Sequence, residues 1–327
     1  MRANIVLAAD PVLSALLRTD NNRGSHFRRE ARLKTVLIGD FRLDRVVESE
    51  VVYSPLDFLL PGIPADLVER NADWLKPRYV DEDGTHPIMA FQSFVLRTGR
   101  HTILIDACTG NDKERPQRPA WHRQNNDFLE RMARAGVHPD EVNFVFCTHL
   151  HADHVGWNTR LQNGRWVPTF PKAKYLFARR EYEHWELAHN DAAKNGRELP
   201  NHGSYGDSVL PVMQAGQAVL VESDHQIEDG VHLEAAHGHT PGACFMHAKS
   251  RGGHAVLIGD AAHTPVQLAM PSLSSRFCFD AAASARTRIA MCERYADTAT
   301  TILAAHFPTP VAARIRRHRD AFRLDTD

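Results

Sequence analysis

The segment Thr148-His-Leu-His-Ala-Asp-His-Val-Gly156 constrains this chain more than any other feature. It follows directly on Val142-Asn-Phe-Val-Phe-Cys147, a nearly continuous apolar run that reads as a strand buried on both faces. Four ligand-type side chains, His149, His151, Asp153 and His154, fall within six residues. Alternation at the outgoing strand end points His149 and His151 the same way. The following turn swings Asp153 and His154 across from them. Such a cluster can hold one metal with His149 and His151 and a second with Asp153 and His154. The N/O donor set suits zinc and its neighbours, since the motif carries no thiolate. A lone histidine on an apolar strand is more often a core residue, but this spacing of three with an aspartate argues against that.

A complete site needs further ligands, and the chain offers three at the ends of expected elements. His239 stands in the tight turn Gly238-His-Thr-Pro-Gly242, Asp260 closes Leu257-Ile-Gly-Asp260, and His306 follows the expected last helix in Ala304-Ala-His-Phe-Pro308. Each is weak alone, because a strand-end Asp is often only a helix cap. Their order after the first motif makes them a set. The 20 histidines fit metal chemistry.

The remaining chain reads as α/β. Strands are expected at 35–39, 46–53, 142–147, 173–178, 219–222, 231–235, 244–249 and 255–258, with a hairpin from 89–97 and 102–106. Helices are expected at 126–135, 180–194 and 280–304, Gly136 stopping the first. Two sheets packed face to face with helices outside follow from that order. The loops 61–86 and 110–124 exceed the usual length and read either as rims around a site or as exposed connectors or dimer contacts. Residues 1–34 read as a poorly ordered leader and 35–327 as the catalytic domain. Asp10 and Pro11 interrupt the early apolar run, which argues against a signal peptide. No apolar stretch is long enough for a transmembrane helix. With 39 basic and 40 acidic residues the formal charge is −1, which does not suit a nucleic-acid binder. Five cysteines without a C-x-x-C fit reduced thiols and a cytoplasmic location.

The order H-L-H-A-D-H, G-H-T-P-G, G-D and A-H resembles the metallo-β-lactamase-fold hydrolases over about residues 35 to 320. The resemblance implies a four-layer αβ/βα sandwich and one or two zinc ions per chain. His149, His151 and His239 would hold the first ion, Asp153, His154 and His306 the second, and Asp260 would bridge them. Asp106 would orient ligands, although here it continues as Ala107-Cys-Thr-Gly110 rather than D-T-G. The segments His154-Val-Gly-Trp-Asn158, Gly110-Asn-Asp-Lys-Glu-Arg115, Pro265-Val-Gln267 and Ser274-Ser-Arg-Phe277 resemble the lactonase and organophosphate-hydrolase branch. Together with chain length they are most similar to the hydrolytic dehalogenases of chlorothalonil, which replace an aromatic chlorine by hydroxyl.

Zinc lowers the pKa of bound water to about 7, making hydroxide available for attack on electron-poor carbon or phosphorus. Asp153 or Asp260 is expected to orient that water or carry its proton, with His263 beside them. Expected substrate contacts are Trp121, Trp157, Met270 and Phe277 as apolar walls, with Phe279 as a further wall, and Asn158 and Ser274 as polar anchors; ordinary packing is the alternative for each. Arg276 would bind a negative group or form a surface ion pair. The expected partner is a small molecule, and the expected assembly a homodimer, with a monomer as the alternative. The alternatives in function are a lactone or ester hydrolase, an organophosphate hydrolase and a glyoxalase-type thioester hydrolase. The basic run Arg314 to Arg319, where the last would place a glutathione patch, reads as a solvated helix end.

Overall fold

The computed structural model describes residues 35–326; the expected leader, 1–34, lies outside them. Sixteen strands form among these residues. The first sheet is built from β1 (Val36–Ile38), β2 (Phe41–Val52), β3 (Ile88–Arg97), β4 (Thr102–Ile105), β5 (Phe144–Phe146), β8 (Lys174–Ala178) and β9 (Ala218–Val221), in that spatial order. A hairpin of β6 (Thr159–Gln162) and β7 (Arg165–Pro168) stands apart from it. The second sheet runs β10 (Gln226–Glu228), β11 (Val231–Ala235), β12 (Cys244–Ser250), β13 (Gly253–Leu257) and β14 (Thr301–Leu303), and β15 (Arg314–His318) pairs with β16 (Ala321–Asp325).

Side-chain alternation assigns the faces of the first sheet. Phe94, Leu96, Ile103, Ile105, Phe146, Leu176 and Ala178 enter a core shared with Leu233, Met246, Ala248, Ala255 and Leu257 of the second sheet. Their strand neighbours Val95, Leu104, Val145, Tyr175 and Phe177 point the other way. There they pack on Phe128 and Met132 of the helix Phe128–Arg134 and on Tyr182 of the helix Arg179–Lys194. Period-two patterning with apolar residues on both faces produces a sheet covered on both sides. On the second sheet, Met291, Cys292 and Tyr295 anchor the helix Ala281–Tyr295 to the shared core. The layers are helix, sheet, sheet, helix, as expected.

Three local expectations are corrected. The helix read over 280–304 stops at Tyr295, and Thr301–Leu303 is β14, parallel to β13. Asp297 adopts φ +59°, which breaks the helix, and β-branched Thr300, Thr301 and Ile302 favour the extended form. The basic run near the C-terminus is strand β15, not a helix end. The loop 61–86 carries the short helices Leu67–Arg70 and Ala72–Leu75, and Leu67, Leu75 and Tyr79 sink into the core.

β4, β5, β8 and β9 run parallel, as do β13 and β14. Asp106, His149, Glu181, Asp260 and His306 all lie just past the carboxyl ends of such strands. That edge is where ligands bind in α/β sheets. Among the described residues no helix is long and apolar enough to cross a membrane.

Candidate metal centre

β5 ends at Phe146, and the chain turns inward rather than continuing along the sheet. His149 is buried, His151 half-buried, and the helical turn Ala152–Val155 brings Asp153 and His154 back over them. The Gly238–Gly242 turn delivers His239, β13 delivers Asp260 and β14 delivers His306. At two places only glycine permits the approach. Gly259 has φ +48° and its missing side chain would strike Thr148 Oγ1; a Cβ on Gly242 would lie 2.3 Å from the backbone nitrogen of Glu181.

The structure brings all seven residues together in two groups. One is His149, His151, His239 and Asp260; the other is Asp153, His154 and His306. His151 Nδ1 lies 3.1 Å from His149 Nε2 and 2.9 Å from His239 Nε2. Asp260 faces both groups. Its Oδ2 is 3.3 Å from His239 Nε2 and 3.8 Å from His149 Nε2. Its Oδ1 is 3.3 Å from His154 Nε2 and 3.2 Å from His306 Nε2. Asp153 Oδ2 stands 3.6 Å from His306 Nε2. His154 Nε2 and Asp260 Oδ1 are buried and have no hydrogen-bond partner among the described residues. Inward-facing imidazole nitrogens, carboxylate oxygens and unpartnered buried polar atoms fit a pair of divalent cations.

Four of the five ligand rings have a polar neighbour behind them. Asp106 Oδ2 lies 3.0 Å from His154 Nδ1, while its Oδ1 accepts the Thr148 amide at 2.8 Å. His306 Nδ1 meets the Ala90 carbonyl at 2.9 Å, Cys278 Sγ is 3.5 Å from His239 Nδ1, and Thr148 Oγ1 is 3.2 Å from His149 Nδ1. Such partners fix ring orientation and tautomer.

The field inside the cluster is uneven. Burial pushes His149 and His151 well below the usual imidazole range, so both stay neutral. Burial acts on His154, His239 and His306 too, but Asp260 beside them outweighs it. His154 and His306 rise, and His239 rises to about 10. Burial raises the Asp260 carboxyl less than its imidazole neighbours, His306 first, hold it down, and it ends well below its ordinary value. These three imidazoles keep their protons until a cation takes the nitrogens. Loading metal-free protein with cobalt(II) at pH 7 in weak buffer is therefore expected to release on the order of two to three protons per chain. Lowering the pH returns those protons and weakens the metal. Proton release near zero in a pH-stat would contradict this ligand set.

The other expected residues separate. Nε2 of His263 lies 3.2 Å from Asp260 Oδ2, and burial takes this imidazole down to about 4. Trp121 stacks edge-on against Phe91 at 5.7 Å, and Phe91 against the His306 ring at 5.1 Å. Phe277 contacts Phe58 at 6.3 Å, and Arg118 lies over both Phe277 and Trp121. Met270 packs on the central core, and Ser274 Oγ donates to the Ala281 carbonyl. Phe279 is exposed, edge-on to His184, and Arg276 lies over Phe58, without an ion pair among the described residues. Trp157 and Asn158 are corrections to the expected pocket. Trp157 stacks on Phe128 at 5.3 Å in the outer core and gives its Nε1 proton to buried Glu48. Asn158 is buried behind the sheet, where its carbonyl accepts the Tyr175 hydroxyl. The tight turn Gly156–Asn158 carries both beneath the metal loop rather than over it.

Sequence reasoning missed two clamps. Buried Glu181 accepts the amides of Leu150 (3.0 Å) and Gly242 (2.8 Å) and the Trp185 indole (2.7 Å), tying the two histidine loops together. Asn201, at φ +52°, accepts the Ala152 amide and donates to the Leu150 carbonyl. Neither had a visible signal beyond a polar residue in a polar stretch.

Comparison with known proteins adds the family. Residues 92–315 match the model of the metallo-beta-lactamase superfamily. N-acyl homoserine lactonases from Bacillus sp and from Bacillus thuringiensis subsp. kurstaki are each 27% identical, over 142 and 143 residues, 43% of this chain and 47% of theirs. The chain thus spans about half the length of these curated relatives. Among solved structures, the hydrolase AbOPH of the beta lactamase superfamily aligns with TM-score 0.70 at 22% identity, covering 89% of this chain and 95% of that one. AidC, a dizinc quorum-quenching lactonase, aligns with TM-score 0.71 at 17% identity, covering 90% and 97%. Over two thirds of its length, then, this chain belongs to the metallo-beta-lactamase superfamily, and it carries two groups of side chains that could hold metal ions.

Proposed function

We propose that this hydrolase holds two zinc ions and exchanges a chlorine for hydroxyl on an electron-poor aromatic ring, with chlorothalonil as the model substrate. The observation that carries this reading is the run of aromatic rings leading away from the ligands. Phe91 joins His306 to Trp121 and also meets Tyr53 at 6.2 Å. Phe277 and Phe58 continue the wall beyond Arg118. Electron-rich ring faces favour a flat, electron-deficient guest.

Bound divalent cations would acidify water so that hydroxide is present near neutral pH, and would polarise the group under attack. His149, His151, His239, Asp153, His154 and His306 would hold them, with Asp260 shared. At the substrate, the new C–O bond forms as the ring takes up an electron pair, which its nitrile groups delocalise. The C–Cl bond then breaks, chloride carries the pair away, and the phenolic proton is left to solvent. Asp153, half-buried and less enclosed than Asp260, would accept a proton from the attacking water.

A second reading is supported by the matched relatives, which are N-acyl homoserine lactonases. The same attack at a lactone carbonyl gives a tetrahedral oxyanion and an opened ring. The test places chlorothalonil beside an acyl-homoserine lactone, an aryl phosphotriester and a glutathione thioester, using one metal-loaded preparation. Chloride release well above the rate with any of the others supports the dehalogenase. Lactone opening with chloride at background replaces it with the lactonase.

A further inference from the structure

The aromatic wall holds one cation, Arg118, that no described residue neutralises. The guanidinium of Arg118 lies 5.6 Å from the Trp121 ring centre and 5.1 Å from that of Phe277. Arg118 is half-buried, and among the described residues it has no carboxylate partner and no side-chain hydrogen bond. Its neighbours differ: Arg115 forks onto Asp207 and Arg123 onto Glu114. The Arg118 backbone is pinned, because its amide bonds the Arg115 carbonyl and its own carbonyl accepts the amides of Trp121 and His122. The side chain therefore springs from a fixed turn rather than a free loop.

Ring contacts link this charge to the metal ligands: Trp121 meets Phe91 at 5.7 Å, and Phe91 meets the His306 ring at 5.1 Å. Burial raises the Tyr53 hydroxyl to about 12, Arg118 opposes that rise, and Asp153 and Asp260 add to it. Burial lowers His202 to about 4, helped by Arg118 and opposed by Asp153. Tyr53 and His202 thus each feel the charges of both Arg118 and Asp153. His202 also meets Trp121 at 6.1 Å. A guanidinium flanked by ring faces keeps its edge N–H donors for a partner lying in its plane, and the partner geometry it fits best is a planar, two-oxygen or delocalised anion.

We propose that Arg118 is the anion receptor of this pocket, and that its ligand is a flat aromatic anion, an aryl oxide or aryl carboxylate, held against Trp121. The proposal rests on the hydrolase reading of the metal centre, since hydrolysis there generates an anion from a neutral substrate. Arg118 would hold the negative charge as it develops on the ring and then the product that bears it. It acts on the reacting group by charge and hydrogen bonding and undergoes no covalent step.

The test is binding, so it stands whether or not any substrate turns over. Titration calorimetry on metal-loaded protein compares 4-nitrobenzoate with its neutral counterpart 4-nitrobenzamide. The wild type is expected to bind the anion more tightly. R118M is expected to weaken 4-nitrobenzoate about tenfold or more and to leave 4-nitrobenzamide unchanged, with R118K recovering part of the loss because it keeps charge but not the planar fork. R276M, which removes the guanidinium over Phe58, is expected to keep the full preference. Either of two results overturns the proposal: R118M retaining the wild-type preference for the anion, which leaves the metals as its receptor, or R276M abolishing that preference. Equal binding of the two probes to the wild type overturns it as well. Absence of hydrolysis with every substrate class, alongside an intact Arg118-dependent preference, defeats the proposed function and leaves the receptor standing.

Discussion

Asp260→Ala is expected to lower kcat at saturating metal by about a thousandfold or more. The reason is geometric. Asp260 is the only ligand whose two oxygens face both groups, Oδ2 toward His239 and His149 and Oδ1 toward His154 and His306. Its removal would deprive both candidate cation positions of a shared carboxylate, leaving three imidazoles in one group and Asp153 with two imidazoles in the other. Loss of several kcal/mol of charge stabilisation corresponds to about 10³-fold or more in rate. The fold should survive, since β13 is held by backbone pairing to β12 and β14 and by Ala255, Val256 and Leu257 in the core. Metal content by elemental analysis should fall below two per chain while circular dichroism stays unchanged. Turnover within tenfold of wild type in such a preparation would remove Asp260 from the chemistry.

Glu181→Gln carries the second largest expected effect, although Glu181 touches no metal. Its carboxylate accepts three N–H donors, two of them from the backbone of loops that carry His149, His151 and His239. Glutamine keeps the size but turns one acceptor into an NH₂ group, which then faces an N–H across about 3 Å. One buried donor loses its partner, at a cost of about 1–3 kcal/mol, and the two loops lose their common anchor. Partners behind ligands typically contribute 10–100-fold in metal affinity. Competition with a chromophoric chelator should show a loss of that size, accompanied by a changed visible spectrum of the cobalt(II) form. A purely structural role would lower the melting temperature and leave the affinity and the spectrum of the folded fraction as in the wild type.

The two variants mark how far the chain could be read in advance. Asp260 was legible because it closes an apolar strand as part of Gly-Asp, and because His149 to His154 crowd four ligand types into six positions. Strand periodicity is a local property, so a motif at a strand end already knows which way it points. Glu181 was not legible. It reaches Leu150 across 31 positions and Gly242 across 61, from the first turn of a largely polar helix. Trp157 shows the reverse error. Three residues past His154 it reads as a pocket wall, but its indole finds Glu48 across 109 positions and turns into the core. The segment 296–304 fails for a different reason: its alanines continue the preceding helix, and only the left-handed Asp297 and pairing to β13 make Thr301–Leu303 a strand.

The chain by itself determined the family, the layered α/β architecture and the seven side chains that converge, since each is carried by a short apolar strand and a turn whose residue types leave few conformations. Tertiary structure alone decided which polar groups stand behind those ligands, which aromatics line the approach, and that Arg118 finds no carboxylate among the described residues. Those outcomes depend on distances between segments far apart in the chain, and a buried charge or an indole goes to whichever partner packing brings within 3 Å, a choice no local pattern encodes.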